Sequence, residues 1–263
     1  MVKIEQSLCI GCAKCVKDCV SGVLHIDQGK AAVRENCMQC GHCVAVCPVK
    51  AVSIPEYDMA DVAEYDKDSF TYTPECFLNA VKFRRSIRSY KDRRVEREQL
   101  LGLIEAGRYT ATAVNTQSVS YVIVQEKLEE FKAYAWKGWL SYADTLPSEQ
   151  ADLKAAIYKF YEAYQKDPRQ DRLFFNAPVL LVIDTENYWD GGLAAQNIEM
   201  MAVAEGRGVL YNGFMVRAVR QNPEAAEWLG LSGKNVCCCL LIGYPDVVYQ
   251  RTAPRKTADV TWK

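Results

Sequence analysis

The sequence predicts an α+β protein of two unequal units: a small cysteine-rich one at the N-terminus and a larger one whose central antiparallel sheet is flanked by helices. Three observations lead there. A cysteine pattern occurs twice before residue 48, the composition changes sharply after about residue 57, and four segments follow in a recognisable order between residues 78 and 263.

With 263 residues, 49% hydrophobic and 25% charged, the chain is long enough for one sizeable core and a small second unit. A formal charge of -1 gives no electrostatic reason to expect nucleic acid or an anionic membrane as partner. The start "MVKIEQSLC" lacks an apolar signal core and no run of 18 apolar residues occurs, so the expected location is the cytoplasm, with no membrane partner.

Twelve cysteines in a chain of this length, with no export signal, are expected as reduced thiols, because disulfide frameworks belong to short secreted chains. The pattern C-x2-C-x2-C-x3-C occurs as Cys9, Cys12, Cys15, Cys19 and again as Cys37, Cys40, Cys43, Cys47. Tetrahedral zinc, the lesser alternative, normally takes two separated ligand pairs. Three thiolates at steps of three instead wrap one iron–sulfur cubane and leave the fourth cysteine pointing elsewhere. This spacing is the bacterial two-cluster ferredoxin signature. The copies lie 28 residues apart and pair Cys9 with Cys37, Val16 with Val44 and Ile26 with Ile54, which implies two pseudo-symmetric halves. In the ferredoxin arrangement the fourth cysteine of each run serves the other half. The resemblance thus assigns Cys9, Cys12, Cys15 and Cys47 to one [4Fe-4S] cluster and Cys37, Cys40, Cys43 and Cys19 to the second. Cys19 is followed by Val20 where Cys47 is followed by Pro48, a change expected to remove a rigid turn but no ligand. His25 and His42 are not expected as ligands.

Residues 58–75 carry Asp58, Asp61, Glu64, Asp66, Asp68 and Glu75 against the single Lys67 and read as a solvated acidic linker. The expected domains are therefore 1–57, this linker, and 76–263. Beyond it "KFRRSIRSYKDRRVER" is strongly basic, which by itself marks a charged face or an anion site.

"RRSIRSY" at Arg84–Tyr90 resembles the R-[RH]-S-x-[RK]-x-[FY] opening of the FMN-dependent nitroreductase family, where a helix of this sequence binds the flavin. "AGRYTATAVNTQSVSYVIV" resembles that family's segment leading into a strand, "GGLAAQNIEMMAVAEGRGVLYNGF" its long central helix and glycine turn, and "IGYPDVVYQRTAPRK" its closing strand and terminal arginine. Ala111 and Ser118 stand where the family favours proline, and Val119 where it favours tryptophan, which alters the flavin's far face rather than flavin binding. The resemblance implies the antiparallel sheet flanked by helices and FMN as cofactor. It assigns Arg84, Arg85 and Ser86 to phosphate and ribityl oxygens, with Arg255 completing the phosphate clamp. Arg88 faces the N1 and O2 edge, where a cation stabilises the reduced flavin. Asn212 and Gly213 match the turn whose backbone N–H reaches N5. Thr112, Ala113 and Asn115 match a strip laid over the flavin by a partner subunit, hence a homodimer.

Gly206 and Gly208 follow an apolar-periodic helix instead of a strand, so they form no dinucleotide fingerprint, and NAD(P)H would have to stack directly on the flavin. Strand alternation puts Cys237 and Cys239 on one face and Cys238 on the other, as small core residues; Cys76 reads as inert. The aromatic residues between Phe131 and Phe175 read as helix packing, with a cap over the flavin's substrate side as the functional alternative. No residue stands out as an acid–base catalyst. The expected function is a flavin-dependent oxidoreductase: the clusters relay electrons from an external ferredoxin-like donor or NAD(P)H to FMN, which reduces a small-molecule substrate such as a nitroaromatic or quinone. The alternative is an electron-transfer module or redox sensor serving a partner protein.

Overall fold

The doubled cysteine pattern folds as a doubled backbone. In the computed structural model, which describes residues 1–69, 72–232 and 235–263, the first unit holds two short antiparallel pairs. Strand β1 (Lys3–Ile4) pairs with β4 (Val52–Ser53), and β2 (Leu24–Asp27) forms a hairpin with β3 (Lys30–Val33). Between them lie two one-turn helices, α1 (Lys14–Lys17) and α2 (His42–Ala45), each burying its central cysteine, Cys15 and Cys43.

Residues 28 apart share special backbone geometry. Gly11 and Gln39, Ala13 and Gly41, and Gly22 and Lys50 are all left-handed, with φ of 70° and 53°, 59° and 78°, and 62° and 53°. Gly11 is required twice over, since a Cβ there would also sit 2.0 Å from Gly29 O. The turn after each fourth cysteine is shared by the two copies too, Gly22 N donating to Cys19 O at 3.0 Å and Lys50 N to Cys47 O at 3.3 Å. Val20 in place of a proline therefore costs the first copy no turn, because the hydrogen bond and the positive φ at Gly22 set it.

The chain divides into two compact units, Met1–Thr71 with Thr112–Thr116, and Tyr72–Ala111 with Gln117–Lys263. The acidic stretch thus counts largely with the cysteine-rich unit, where Glu64 pairs with Lys50 at 2.7 Å.

In the second unit α3 (Pro74–Phe83) starts on a Thr73 cap with Pro74 at its first turn. There follow α4 (Arg97–Arg108), β5 (Ser120–Val124), α5 (Leu128–Asp144), α6 (Ala151–Lys166), β6 (Val179–Asp184), α7 (Tyr188–Ala204), β7 (Gly208–Tyr211), α8 (Gly213–Gln221), α9 (Pro223–Trp228) and β8 (Val236–Gly243). The strands form one antiparallel sheet in the order β5-β6-β8-β7. Period-2 alternation splits its side chains between two cores. Leu180 and Val182 of β6 face α5 and α8, while Val179, Leu181 and Ile183 face α4 and α7.

Two expectations are corrected. A bulge in β8 sets Cys238 opposite Ile183 but Val236 opposite Asp184, so Cys237 has no opposite number. Cys237 and Cys238 consequently pack, partly buried, on the α4–α7 side, and only Cys239 is buried in the core on the other. The second correction concerns Arg84–Tyr90, which is extended and not helical. Arg84 ends α3 by donating its N–H to Ala80 O, and Ile87 N donates to Val209 O at 3.0 Å, so β7 captures the segment. The aromatic run packs α5 on α6, Trp136 stacking on Tyr164 and Trp139 on Phe160.

Candidate functional site

In the cysteine-rich unit, thiols from both runs come together around one cavity. Cys9, Cys12, Cys15 of the first run and Cys47 of the second line one cavity of about 20 Å³, with Ile10, Ala31 and Val52 in its wall. In the second run, burial pushes the Cys43 thiol up to about 11, with Cys37 and Cys40 adding to the rise. Burial also raises the Cys19 thiol, but amides of Leu24, Val23, Ser21 and Gly22 outweigh it and leave the thiol below its ordinary value. Backbone donors point at three of the sulfurs: Ala31 N to Cys9 at 3.4 Å, Gln39 N to Cys37 at 3.4 Å and Ala51 N to Cys47 at 3.3 Å. Thiolates supported by N–H donors are what an iron–sulfur cluster takes as ligands. Among the described residues no three His, Cys, Asp or Glu side chains are spaced to hold a single metal ion; the first quartet rings a cavity. His42 opens α2 at the surface, 3.5 Å from Asp18.

In the second unit the basic segment lies along β7. Ser86 bridges Val209, and Gly208 permits it, since a Cβ at Gly208 would come within 2.4 Å of Ile87. Tyr90 anchors the far end, its single hydroxyl proton shared between Ile87 O at 3.0 Å and Leu241 O at 3.1 Å. Arg84 donates to the buried Glu199 at 3.3 Å; burial pushes that carboxyl up and Arg84 pulls it back. Arg85 Nη1 donates to Lys82 O and Arg84 O, and its Nη2 is buried with no partner among the described residues. An orphaned guanidinium donor beside a half-buried serine suits an anionic oxygen that the protein itself does not provide.

Arg88 is exposed, donates to Ser86 O, and lines an open cavity of about 230 Å³ with Arg169, Gln170, Arg172 and Phe175. Arg169 and Arg172 were not singled out from sequence, although "DPRQDR" just ahead of β6 carries them. Their loop is built around the buried Asp171, which accepts from Leu173 N and Phe174 N and faces Lys132 at 3.5 Å. Burial raises the Asp171 carboxyl, against the pull of those amides and of Lys132. Asn212 ties the loop to α8, donating Nδ2 to Leu173 O at 2.6 Å while its Oδ1 caps Met215 N. Its own N–H is engaged by Cys239 O. Gly213 opens α8, so its N–H belongs to the first turn, which a helix cannot pair internally. Phe214 next to it packs on Trp139 with ring centroids 5.0 Å apart, bringing the aromatic layer to this turn.

Two expected contributors lie elsewhere. Arg255 is exposed near the C-terminus, donating to Pro254 O, and does not line the Arg88 cavity. Thr112, Ala113 and Asn115 count with the cysteine-rich unit, where the Asn115 side chain donates to Met38 O and Gln39 O.

Residues 81–244 match the nitroreductase family, and residues 1–48 match the 4Fe-4S dicluster domain. A component of the ion-translocating oxidoreductase complex of Methanosarcina acetivorans is 45% identical over 47 residues, a stretch that is 18% of this chain and 18% of that protein. The chain thus spans under a fifth of that relative's length. An uncharacterized ferredoxin of Methanocaldococcus jannaschii is 42% identical over 57 residues, 20% of this chain and 92% of that protein. Among solved structures, a nitroreductase with bound FMN from Desulfitobacterium hafniense DCB-2 shares the fold at 21% identity and a TM-score of 0.55, covering 70% of this chain and 97% of the other. No helix among the described residues is long and apolar enough to cross a membrane. The chain belongs to the nitroreductase family, with a 4Fe-4S dicluster domain ahead of its nitroreductase domain.

Proposed function

We propose that this protein is an FMN-dependent oxidoreductase in which two [4Fe-4S] clusters pass electrons from an external one-electron donor to the flavin, for reduction of a small organic acceptor such as a nitroaromatic or quinone. The observation that carries the proposal is the cavity ringed by Cys9, Cys12, Cys15 and Cys47, drawn from both runs of a chain whose larger part is a nitroreductase domain. Cys37, Cys40, Cys43 and Cys19 hold the second cluster. When bound, FMN accepts electrons singly and delivers them in pairs, which joins one-electron clusters to a two-electron acceptor.

The chain's own residues divide the work. Arg85 and Ser86 take phosphate oxygens, Arg84 shares itself between Glu199 and the cofactor's anionic end, and Arg255 joins the clamp only if its segment folds back. Gly213 offers its N–H at the head of α8, behind the Asn212 cap. Arg88, with Arg169 and Arg172, makes one side of the site cationic, which suits an acceptor rich in oxygen. The unit is proposed as a homodimer: α3 leaves Phe77, Leu78, Val81 and Phe83 exposed, an apolar stripe suited to burial against a second copy.

An anaerobic preparation is expected to contain about eight irons and one flavin per chain, with the mass of two chains by light scattering. Zinc in place of iron, about four irons, or a monomer that binds FMN tightly would each refute the corresponding part. Arg88→Ala is expected to lower the flavin potential and the turnover rate more than FMN affinity, since its cation favours the reduced flavin. Equal potentials in parent and variant, measured by spectroelectrochemical titration, would remove Arg88 from that role.

A further inference from the structure

The peptide joining Met38 to Gln39 lies between the ligand cysteines Cys37 and Cys40 and is held at both ends. Its N–H, on Gln39, donates to Cys37 Sγ at 3.4 Å. Its carbonyl, on Met38, accepts from Asn115 Nδ2 at 3.2 Å, and the same side-chain nitrogen donates to Gln39 O at 3.0 Å. A carbonyl that accepts a hydrogen bond polarises its peptide, so the N–H of that peptide becomes a stronger donor. Asn115 therefore acts on the Cys37 sulfur through one peptide unit.

The segment that delivers Asn115 is specialised. Val114, Asn115 and Gln117 are all left-handed, with φ of 45°, 57° and 50°, a conformation rare for non-glycine residues and rarest for a β-branched one. Thr112–Thr116 counts with the cysteine-rich unit although the residues on either side count with the other. It lies outside the 28-residue repeat, so it adds to the second copy something the duplicated sequence does not encode.

We propose that Asn115 is a positioning residue for the second cysteine quartet, seating the Cys37–Cys40 loop and raising the reduction potential of the cluster held there. The reason is electrostatic: a reduced cluster carries more negative charge on its sulfurs, and a stronger N–H donor at Cys37 stabilises that form over the oxidised one. The second cluster is thereby a better electron acceptor than its duplicated sequence alone would make it. This inference rests on the two-cluster reading above.

The test is a redox titration of the full-length, anaerobically purified protein, followed by electron paramagnetic resonance, for the parent, Asn115→Ala and Asn115→Asp. One cluster couple is expected to move to lower potential in both variants, its reduced-to-oxidised ratio at fixed potential falling about threefold, or ~28 mV at 59 mV per decade for one electron. The Asp variant, which accepts but cannot donate, should move at least as far, and the other couple should stay in place. Loss of about four of about eight irons in both variants, with flavin retained, also supports the seat. Unchanged couples, both couples moving together, an upward shift, or loss of all iron overturns the inference. A parent protein without two cluster signals refutes the cluster reading itself, a result distinct from any change in the variants.

Discussion

Flavin bleaching by a reduced low-potential ferredoxin is expected to slow by about 10²- to 10⁴-fold when Cys12 and Cys40 are both replaced by alanine in the full chain. Each replacement removes one cysteine from a different run, Cys12 from the cavity shared with Cys9, Cys15 and Cys47 and Cys40 from the loop with Cys37. The physical reason is tethering. Residues 1–57 carry Lys3, Lys14, Lys17, Lys30, Arg34 and Lys50 against Glu5, Asp18, Asp27, Glu35 and Glu56, a near-neutral balance unsuited to steering a freely diffusing carrier. A unit joined to its acceptor in one chain replaces that steering with high effective concentration. Anaerobic stopped-flow absorbance with ferredoxin, NADH and dithionite as separate donors decides the matter. The variant should bleach normally with dithionite and slowly with ferredoxin; equal ferredoxin rates in variant and parent, or full-rate reduction by NADH alone, would make the clusters structural and not a relay.

FMN affinity is expected to fall about 10- to 100-fold in Arg85→Ala, the loss of one charge-assisted hydrogen bond worth roughly 1.5–3 kcal/mol. The buried Arg85 Nη2 has no partner among the described residues, a desolvated donor that a phosphate oxygen would satisfy. Arg85→Lys should recover only part of the affinity, because an ammonium lacks the guanidinium fork that can hold Lys82 O and Arg84 O while reaching a third acceptor. Titration calorimetry on the flavin-free protein measures it. An unchanged dissociation constant in the alanine variant would move the phosphate site away from this segment.

Much of the site is legible in the sequence because its chemistry is local. The spacing of Cys9, Cys12 and Cys15 already groups three thiols that line one cavity, and the copy at Cys37 repeats the backbone through residue-by-residue equivalents such as Ala13 and Gly41. Val20 shows the limit of that reading: its missing proline suggests a lost turn, but the turn is held by the Gly22 N–H and its positive φ. "YNGF" is likewise readable, since an asparagine before a glycine at a helix start is a cap whatever surrounds it.

What depends on distant partners is not legible. "RRSIRSY" is rich in residues that tolerate a helix, and only the free edge of β7, with Gly208 leaving room for Ile87, draws it out into extended backbone. Strand alternation misplaces Cys237, because the bulge arises from the register between β6 and β8 and not from the cysteines themselves. Arg169 and Arg172 gain meaning only once the buried Asp171 folds their loop so that they and Arg88 line one cavity.

The sequence by itself determined the identity of this protein's parts: two cysteine quartets, a nitroreductase domain and the basic segment beside its sheet, all written in patterns of a few residues. Only the tertiary structure decided how they are held. It drew Cys47 into the first run's cavity and left one Arg85 donor unsatisfied among the described residues. It also seated Asn115 on the Met38–Gln39 peptide, 76 or more residues away along the chain. A motif's spacing fixes which atoms a short stretch of backbone can present together, whereas a hydrogen bond between remote residues exists only after packing has closed the loop between them.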